Sequence, residues 1–450
     1  MYRALLEELA ADETPIKVGI VGAGKFGAGL VAQLSQMEGV EASLIADLDL
    51  DRARYAYTAS QVPEGEIVAV ESLLEASRAV YEGQPAVTQD GLLLTQVDLL
   101  DVVVEATGVP AVGAEMAYSA IQNGKHVVMV NVEADVTVGP ILSQMADSAG
   151  VVYTLVDGDQ PGSTMNMVEW ATTLGFEIVA AGRGTIFYGD DRCGTPESVP
   201  ERFGFDEETL ARRTINLKMY NSFRDGSKAQ LEMTALANMA GLVPDVRGMH
   251  EPSANLADIP RLFSLKQEGG LLGQHGVVEL ANSIAPDGKT MLPDPIRMGV
   301  FCVVRTEHPF TQEDLASYYV HPGGNGQNFL LYRPYHLVAV AAPISIVKAA
   351  LYGAPTGAPL YPPTAEVIAV AKRDLKAGEL LDGSGGYTVN GLCEKAVVAR
   401  AGRLLPLGLA DGARLTQPVP QGAAIAYDQV ELKESFALTL RRLQDATVWK

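Results

Sequence analysis

Positive charge is scarce in this chain. Its 450 residues hold 34 Lys and Arg against 55 Asp and Glu, a formal net charge of −21, with a sequence pI near 4.7. Such a surface repels phosphate backbones and anionic headgroups, which argues against nucleic acid and membrane as partners. Cysteine is rarer still. Cys193, Cys302 and Cys393 lie far apart, form no CxxC and cannot all pair, so reduced thiols in a cytoplasmic protein are expected. Cys193, beside Arg192, reads as an ordinary loop cysteine, with a reactive thiol the alternative. No apolar run approaches the roughly 20 residues of a membrane span. The first nine residues, Met1 to Leu9, read as a short acid-rich amphipathic helix without the basic flank and apolar core of a signal peptide.

Hydrophobic residues make up 47% of the chain and charged residues 20%, ordinary values for a globular protein. The length is too great for one core and implies two or three domains. The stretch that organises the front of the chain is Ile16–Gly27, an apolar β-branched run leading into Gly22-Ala23-Gly24-Lys25-Phe26-Gly27. A helical stretch (28–37) follows. In a strand–GxGxxG–helix unit the first glycine makes the tight turn. The second lets backbone approach a pyrophosphate, and the third lets the helix pack close to the strand. The phosphates rest on free N–H groups at the helix N-terminus. Asp47, twenty residues past Gly27, is placed to accept hydrogen bonds from a ribose diol. These six loop residues and Asp47 are the first part of the predicted cofactor site.

Residues 16–155 alternate strand and helix signals. Strands are predicted at 17–21, 42–46, 66–69, 99–105, 126–130 and 151–155, with helices at 112–123 and 140–150 between them. This alternation predicts an α/β doubly wound parallel sheet. Ligands bind beyond the carboxyl ends of such strands, which draws attention to Thr107 and Gly108 near the ribose and nicotinamide, and to Asn131 and Glu133 beside the substrate. Asn131 also reads as a strand-ending turn residue and Glu133 as an exposed carboxylate.

Beyond residue 156 the pattern becomes α+β. A helix is expected at 163–174 and a strand at 176–182, then a polar loop from 190 to 208. Strands at 214–223 and 227–236 would meet at a hairpin turn through Asp225-Gly226, which gives Asp225 a structural role. Lys228 opens the second of these strands, facing either a cleft or solvent. After a strand at 299–305, Gly323-Gly324-Asn325-Gly326 reads as a mobile loop. It leads to Arg333, Tyr335 and His336, set side by side. The arginine suits a carboxylate or phosphate, and the histidine suits proton transfer near neutral pH. The proline cluster 355–363 reads as a linker, and 366–371 and 424–431 as strands of a small β-rich region.

Residues 371–383 (Ala-Lys-Arg-Asp-Leu-Lys-Ala-Gly-Glu-Leu-Leu-Asp-Gly), with 418–431, resemble the SAF domain, a β-clip module. Five further segments extend the likeness. They are Glu105-Ala106-Thr107-Gly108, 131–137, Asp225-Gly226-Ser227-Lys228, 241–245 and Arg333-Pro334-Tyr335-His336-Leu337. With them the chain resembles homoserine-dehydrogenase-like oxidoreductases that end in a SAF domain, and most of all their deoxyxylulose-phosphate reductoisomerase-like branch. The resemblance implies a Rossmann domain (1–155), a central α+β catalytic and dimerisation domain (156–353) and a SAF domain (364–450). It also implies nicotinamide-dependent redox chemistry and a homodimer. Two departures matter. Ala46-Asp47-Leu48-Asp49 stands where that branch carries basic residues for NADPH, so NAD(H) is expected, with NADP(H) the alternative. Arg183 and Thr185 stand where it carries two lysines. Homoserine dehydrogenases also place a catalytic lysine after the asparagine, where this chain has Val132.

The reading is thus an NAD(P)-dependent oxidoreductase moving hydride between nicotinamide and a carbonyl or alcohol carbon of a small polyhydroxylated substrate: a sugar acid, a polyol or a sugar phosphate. Arg183 and Arg333 would hold its anionic or polyhydroxyl end and Lys228 or His336 the alcohol proton. Asn131 and Glu133 would orient the substrate, with Tyr335 beside Arg333 and His336. No metal site is expected. A metal-dependent reductoisomerase using Glu133, Asp157 and Asp159, a homoserine dehydrogenase-like activity, and a non-catalytic cofactor or carbohydrate sensor are the rival readings.

Overall fold

The computed structural model describes residues 2–206 and 216–449. The chain divides into two compact units. One comprises residues 1–162, 337–362 and 435–450, and the other 163–336 and 363–434.

The first unit is built on a parallel sheet of β1 (Ile16–Val21), β2 (Val40–Ala46), β3 (Val68–Ala69), β4 (Ala86–Thr88), β5 (Val102–Glu105), β6 (His126–Met129) and β7 (Tyr153–Leu155). The strand order is β3-β4-β2-β1-β5-β6-β7. The chain winds outward from β1 in both directions, so a crevice opens at the carboxyl ends of β1 and β5, where the order reverses. All six predicted strands are present, four of them shortened to two to four residues. The seventh, β4, is only Ala-Val-Thr and has no periodicity to read. Val18, Ile20, Leu30, Ile45, Val104 and Val128 fill the core, with Ile346 and Val347 inserted from the later segment.

The predicted helix at 140–150 begins earlier and runs Val132–Ala149 straight through Pro140. Proline removes one donor and disturbs the neighbouring rung. The displaced groups find substitutes on the helix Phe436–Thr447. Ile141 N–H donates to Gln444 Oε1 at 3.1 Å, and Thr137 C=O accepts from Gln444 Nε2 and Arg441 Nη1 at 3.4 and 3.3 Å. The proline segment is likewise no loose linker. Leu155 N–H donates to Gly357 C=O at 2.8 Å, and Tyr361 Oη to Asp147 Oδ2 at 2.7 Å.

The second unit holds a mixed sheet of β8 (Glu177–Thr185), β9 (Val243–Pro244), β10 (Val277–Asn282), β11 (Val300–Arg305) and β12 (Asn328–Arg333) in the order β12-β11-β8-β10-β9. Phe263 and Phe301 stack in its core with centroids 5.4 Å apart. Two pairs complete the unit: β13 (Ala365–Ala371) with β14 (Val389–Lys395), and β15 (Arg414–Leu415) with β16 (Val430–Glu431). Within the predicted strand 424–431, only the last two residues are strand, after a 3-10 turn.

The predicted hairpin at Asp225-Gly226 is a corner between two helices, Leu217–Arg224 and Ser227–Ala240. Residues 214 and 215 of the first predicted strand lie outside the described residues, as do 207 and 208 of the polar loop. The second helix is rich in Ala, Leu, Met, Gln and Glu, all strong helix formers. It is buried on nearly every side, so it shows no polar stripe. Its polar side chains bond backbone of the paired strands. Ser227 Oγ accepts from Gly391 N–H at 2.9 Å, and Gln230 Oε1 from Cys393 N–H at 2.8 Å. Asp225 Oδ1 caps Ser227 N–H, and its other oxygen pairs with Lys372 Nζ at 2.6 Å, both side chains fully buried. The glycine run expected to be a mobile loop is pinned as a turn. Asn325 Oδ1 accepts from Gln327 and Asn328 N–H, and Nδ2 donates to Glu268.

The Pro140 arrangement predicts non-additivity. Gln444→Ala strands the buried Ile141 N–H and leaves Thr137 C=O with Arg441 alone, and should destabilise the protein by about 1–3 kcal/mol. In a Pro140→Ala background, where the helix can close its own rungs, the same change should cost less. Urea denaturation of the four proteins measures the difference, and equal costs in both backgrounds would refute the coupling.

Candidate functional site

In the first unit the glycine loop has the geometry of a phosphate cradle. Gly22 has φ 102°, and a Cβ there would stand 2.8 Å from Ala106 C=O; at Gly27 it would stand 2.1 Å from Gly22 C=O. Gly24 faces open space, with nothing within 4 Å of where its Cβ would be. It begins the helix Lys25–Leu34, which no side chain caps, so first-turn N–H groups remain for an anion. Ala23, Lys25 and Phe26 complete the loop. Asp47 follows directly on β2, beside the loop. One carboxylate oxygen accepts from Ala23 N–H at 2.7 Å and the other from Asp49 N–H at 2.9 Å. These residues fit a dinucleotide: the cradle is open where a pyrophosphate would lie, and the carboxylate stands at the adjacent strand end.

The neighbouring turn is organised by Glu105, which the sequence reading passed over although it heads the segment containing Thr107 and Gly108. Glu105 ends β5 fully buried. Its Oε1 accepts from Thr107 N–H at 3.0 Å and from Thr107 Oγ1. Its Oε2 lies against Gly113, whose missing side chain makes the space. A Cβ there would be 2.8 Å from Oε2 and 2.6 Å from Asn131 Nδ2. Asn131 is buried, caps the following helix by accepting from Ala134 N–H, and donates to Val109 C=O at 3.1 Å. It is therefore the turn residue and the neighbour of the predicted site at once. Glu133, next but one, is half-buried. Burial pushes the Glu105 carboxyl up to about 7 against the pull of its Thr107 hydrogen bonds. Burial also raises Asp135 to about 7, although Tyr153 Oη donates to it at 2.9 Å.

In the second unit, Arg183 of β8 and Arg333 of β12 both stand opposite Val300 of β11. They therefore share one face of the sheet, about 10 Å apart. Their surroundings differ. Arg183 is buried, paired with Glu232, and donates to Gly184 C=O at 3.1 Å. Its Nη2 meets Met298 Sδ at 3.6 Å, while His336 Nδ1 lies 3.1 Å from Met298 C=O. Met298 thus links two of the predicted residues. Arg333 is half-buried with its guanidinium 4.7 Å from the Tyr335 ring centre. Lys228, in the first turn of Ser227–Ala240, is half-buried.

A cluster beside β8 and β10 was not visible in the sequence. Gly248, Met249 and Glu251 have φ of 77°, 65° and 47°, and two of them are side-chain-bearing residues in the left-handed region, a strained arrangement. This loop brings His250 Nδ1 to Glu279 Oε1 at 2.6 Å. Glu251 accepts from Thr185 Oγ1 at 2.9 Å and Arg192 Nη2 at 2.8 Å. The hydrogen bond to Glu279 raises the His250 pKa against burial, favouring the imidazolium. The only sequence signal was a glycine before a lone Met-His-Glu. Glu133, Asp157 and Asp159 are not brought together as ligands: among the described residues, no group of three or more His, Cys, Asp or Glu is placed to hold a metal ion.

The buried Glu105 has a measurable signature. Its carboxyl ordinarily titrates near 4.5, and burial raises it to about 7 in the folded protein. Its protonation therefore adds stability that is complete below pH 4.5 and lost as pH rises through 7. Relative to the parent, Glu105→Gln should gain about 3 kcal/mol between these limits. Urea denaturation across the range measures it, and a pH-independent difference would refute the assignment.

Residues 158–342 match the family model for the oxidoreductase DRL catalytic domain, and residues 22–155 that for the homoserine dehydrogenase NAD binding domain. A homoserine dehydrogenase of Methylobacillus glycogenes is 28% identical over 166 residues, which are 35% of this chain and 37% of that relative. The chain thus matches little more than a third of that relative's length. Among solved structures, a probable dehydrogenase from Thermotoga maritima aligns over 75% of this chain and 90% of its own, at 11% identity and TM-score 0.37. A myo-inositol dehydrogenase from Lactobacillus casei, in complex with NAD(H) and myo-inositol, aligns over 41% of this chain and 50% of its own, at 14% identity and TM-score 0.29. The two matches set a homoserine-dehydrogenase-type NAD-binding domain ahead of a DRL-type catalytic domain along the chain, and both models describe nicotinamide-dependent oxidoreductases.

Proposed function

We propose that the protein is an NAD(H)-dependent oxidoreductase that interconverts a carbonyl and an alcohol on a small polyhydroxylated substrate carrying an anionic end. The observation that carries this reading is the open glycine cradle with Asp47 beside it. Each Asp47 oxygen accepts one backbone N–H and retains acceptor capacity for a ribose diol. The same carboxylate repels a 2′-phosphate, which supports NAD(H) over NADP(H). When bound, the nicotinamide supplies or accepts the hydride. Thr107 and Gly108, held by Glu105, shape the turn facing the cofactor's ribose, and Asn131 and Glu133 orient the reacting end.

In the second unit His336 or Lys228 holds the alcohol proton, and Arg333 takes the anionic end of the substrate, with Tyr335 supporting its guanidinium. Arg183 is spent on Glu232, so its part is to fix Met298, and through it His336. In this reading 1–155 binds cofactor, 156–353 carries catalysis and dimerisation, and 364–450 includes a SAF module at 366–431. The protein acts as a cytoplasmic homodimer.

Ligands that bind only the native state stabilise it by mass action, by about 2.7 kcal/mol at a concentration 100-fold above Kd. In thermal-shift titrations NAD and NADH should therefore raise the midpoint at lower concentrations than NADP and NADPH, and Asp47→Ser should narrow that gap. An equal or stronger response of the parent protein to NADP(H) would overturn the NAD(H) assignment.

A further inference from the structure

An open cleft of about 580 Å3 lies between the helix Gln160–Thr173 and the outer strand β12, lined among others by Ser163, Trp170, Tyr319, His321, Tyr332 and Arg333. Its volume is that of a small-molecule site. Three independent features point to an occupant. The first is aromatic. The Trp170 ring stacks on Phe176 at 6.5 Å yet stays 53% exposed, and Tyr319 is 91% exposed. Tyr319 has φ 63°, a left-handed backbone that bulky residues rarely adopt and that marks sites where strain serves a purpose.

The second is Ser163. It is 1% exposed, and its Oγ has no hydrogen-bond partner. A serine in a helix ordinarily bonds back to a carbonyl one turn earlier, and an orphaned buried hydroxyl costs free energy until something meets it. The third is Arg333. Acid outnumbers base 55 to 34 in this chain, and the neighbouring arginines Arg183, Arg192, Arg202, Arg224 and Arg305 each hold a carboxylate. Arg333 holds none among the described residues, its guanidinium lying instead on the Tyr335 ring.

We infer that this cleft binds the substrate as a sugar acid. The carboxylate meets Arg333, the C–H face of the sugar lies on the exposed aromatic rings, and a hydroxyl satisfies Ser163 Oγ. A neutral sugar leaves the guanidinium unpaired, and a flat aromatic acid leaves the serine hydroxyl unmet, so the combination selects a ligand with both groups. The inference takes the role of Arg333 from the proposed function and rests on that reading.

The chain has two tryptophans, so Trp449→Phe leaves Trp170 as the sole indole reporter. D-glucuronate added to this variant without cofactor should change its fluorescence saturably, with at least about tenfold tighter binding than D-glucose, the cost of losing one charged hydrogen-bonded partner. Arg333→Gln should reduce glucuronate to the level of glucose, and Ser163→Ala should weaken both sugars. No saturable change, equal binding of glucose, tighter binding of benzoate, or a glucuronate response that survives both substitutions would each overturn the inference. NADH-linked turnover separates the two readings. Glucuronate binding that no sugar acid converts into turnover leaves the cleft standing and removes the oxidoreductase reading. Turnover of a substrate that never perturbs Trp170 removes the cleft and keeps the oxidoreductase.

Discussion

The first unit depends on a backbone approach that only glycine permits. A Cβ on residue 27 would stand 2.1 Å from the carbonyl oxygen of Gly22, and one on Gly22 would stand 2.8 Å from the carbonyl oxygen of Ala106. These contacts press the helix Lys25–Leu34 against the end of β1 and seat the turn after β5 beside the loop. Everything chemical at this end of the sheet follows from that placement. The helix start is left uncapped, Gly24 faces open space, Asp47 reaches Ala23 N–H, and Glu105 ties down Thr107. A single methyl group at either glycine would push the loop off the strand and disperse the groups around it.

The second unit solves a different problem, that of burying charge in an acidic chain. Its interior holds Arg183 with Glu232 and Asp225 with Lys372, and Glu279 bonds His250 and Glu251 bonds Arg192 at its margin. Buried ion pairs are a poor source of net stability, but breaking one is costly, so each pair fixes which segments meet. Asp225 and Lys372 are 147 residues apart in sequence, and their pairing binds the β13 end to the helix corner at Gly226. The same corner opens Ser227–Ala240, whose serine and glutamine serve as hydrogen-bond partners for the edge of β14. Charged and amide side chains here do the positioning that apolar packing does in the first unit.

This contrast explains what was legible in the sequence. The parallel sheet announced itself because its strands are short apolar runs punctuated by glycine, and because the cofactor loop needs glycine at fixed spacing, a purely local rule. Ser227–Ala240 misled because it is buried all round. Most of its polar residues face backbone or a buried partner rather than water, so neither a helical nor a strand period survives, and only its Ala and Leu content spoke for helix. Glu105 was hidden in plain sight at a strand end, where its burial depends on Gly113 leaving room. His250 and Glu251 sit in a loop of left-handed residues with no pattern at all. Arg183 was visible as an arginine at a strand end, but its partner Glu232 lies 49 residues away on an element read as something else. In general the positions of backbone elements were readable where they follow from local periodicity. Side-chain pairings across long separations were not.

Pro140 shows the limit most sharply. Every local rule says that a helix starts or stops there, and the sequence offers no second opinion nearby. The helix nevertheless passes through, because Gln444, 303 residues beyond Ile141, presents an acceptor to Ile141 N–H and a donor to Thr137 C=O. One side-chain amide, carrying both kinds of group in the right order, stands in for the missing rung. A hydrocarbon of the same size would leave the Ile141 N–H orphaned and Thr137 C=O with Arg441 alone, so the identity of residue 444 is set by residue 140. It follows that the helix Val132–Ala149 is fully satisfied only with Gln444 in place. The first unit is consequently a matter of three-dimensional hydrogen-bond completion rather than of contiguous sequence: residues 1–162, 337–362 and 435–450 form it together, and its middle segment ends within the run of prolines, at Pro362.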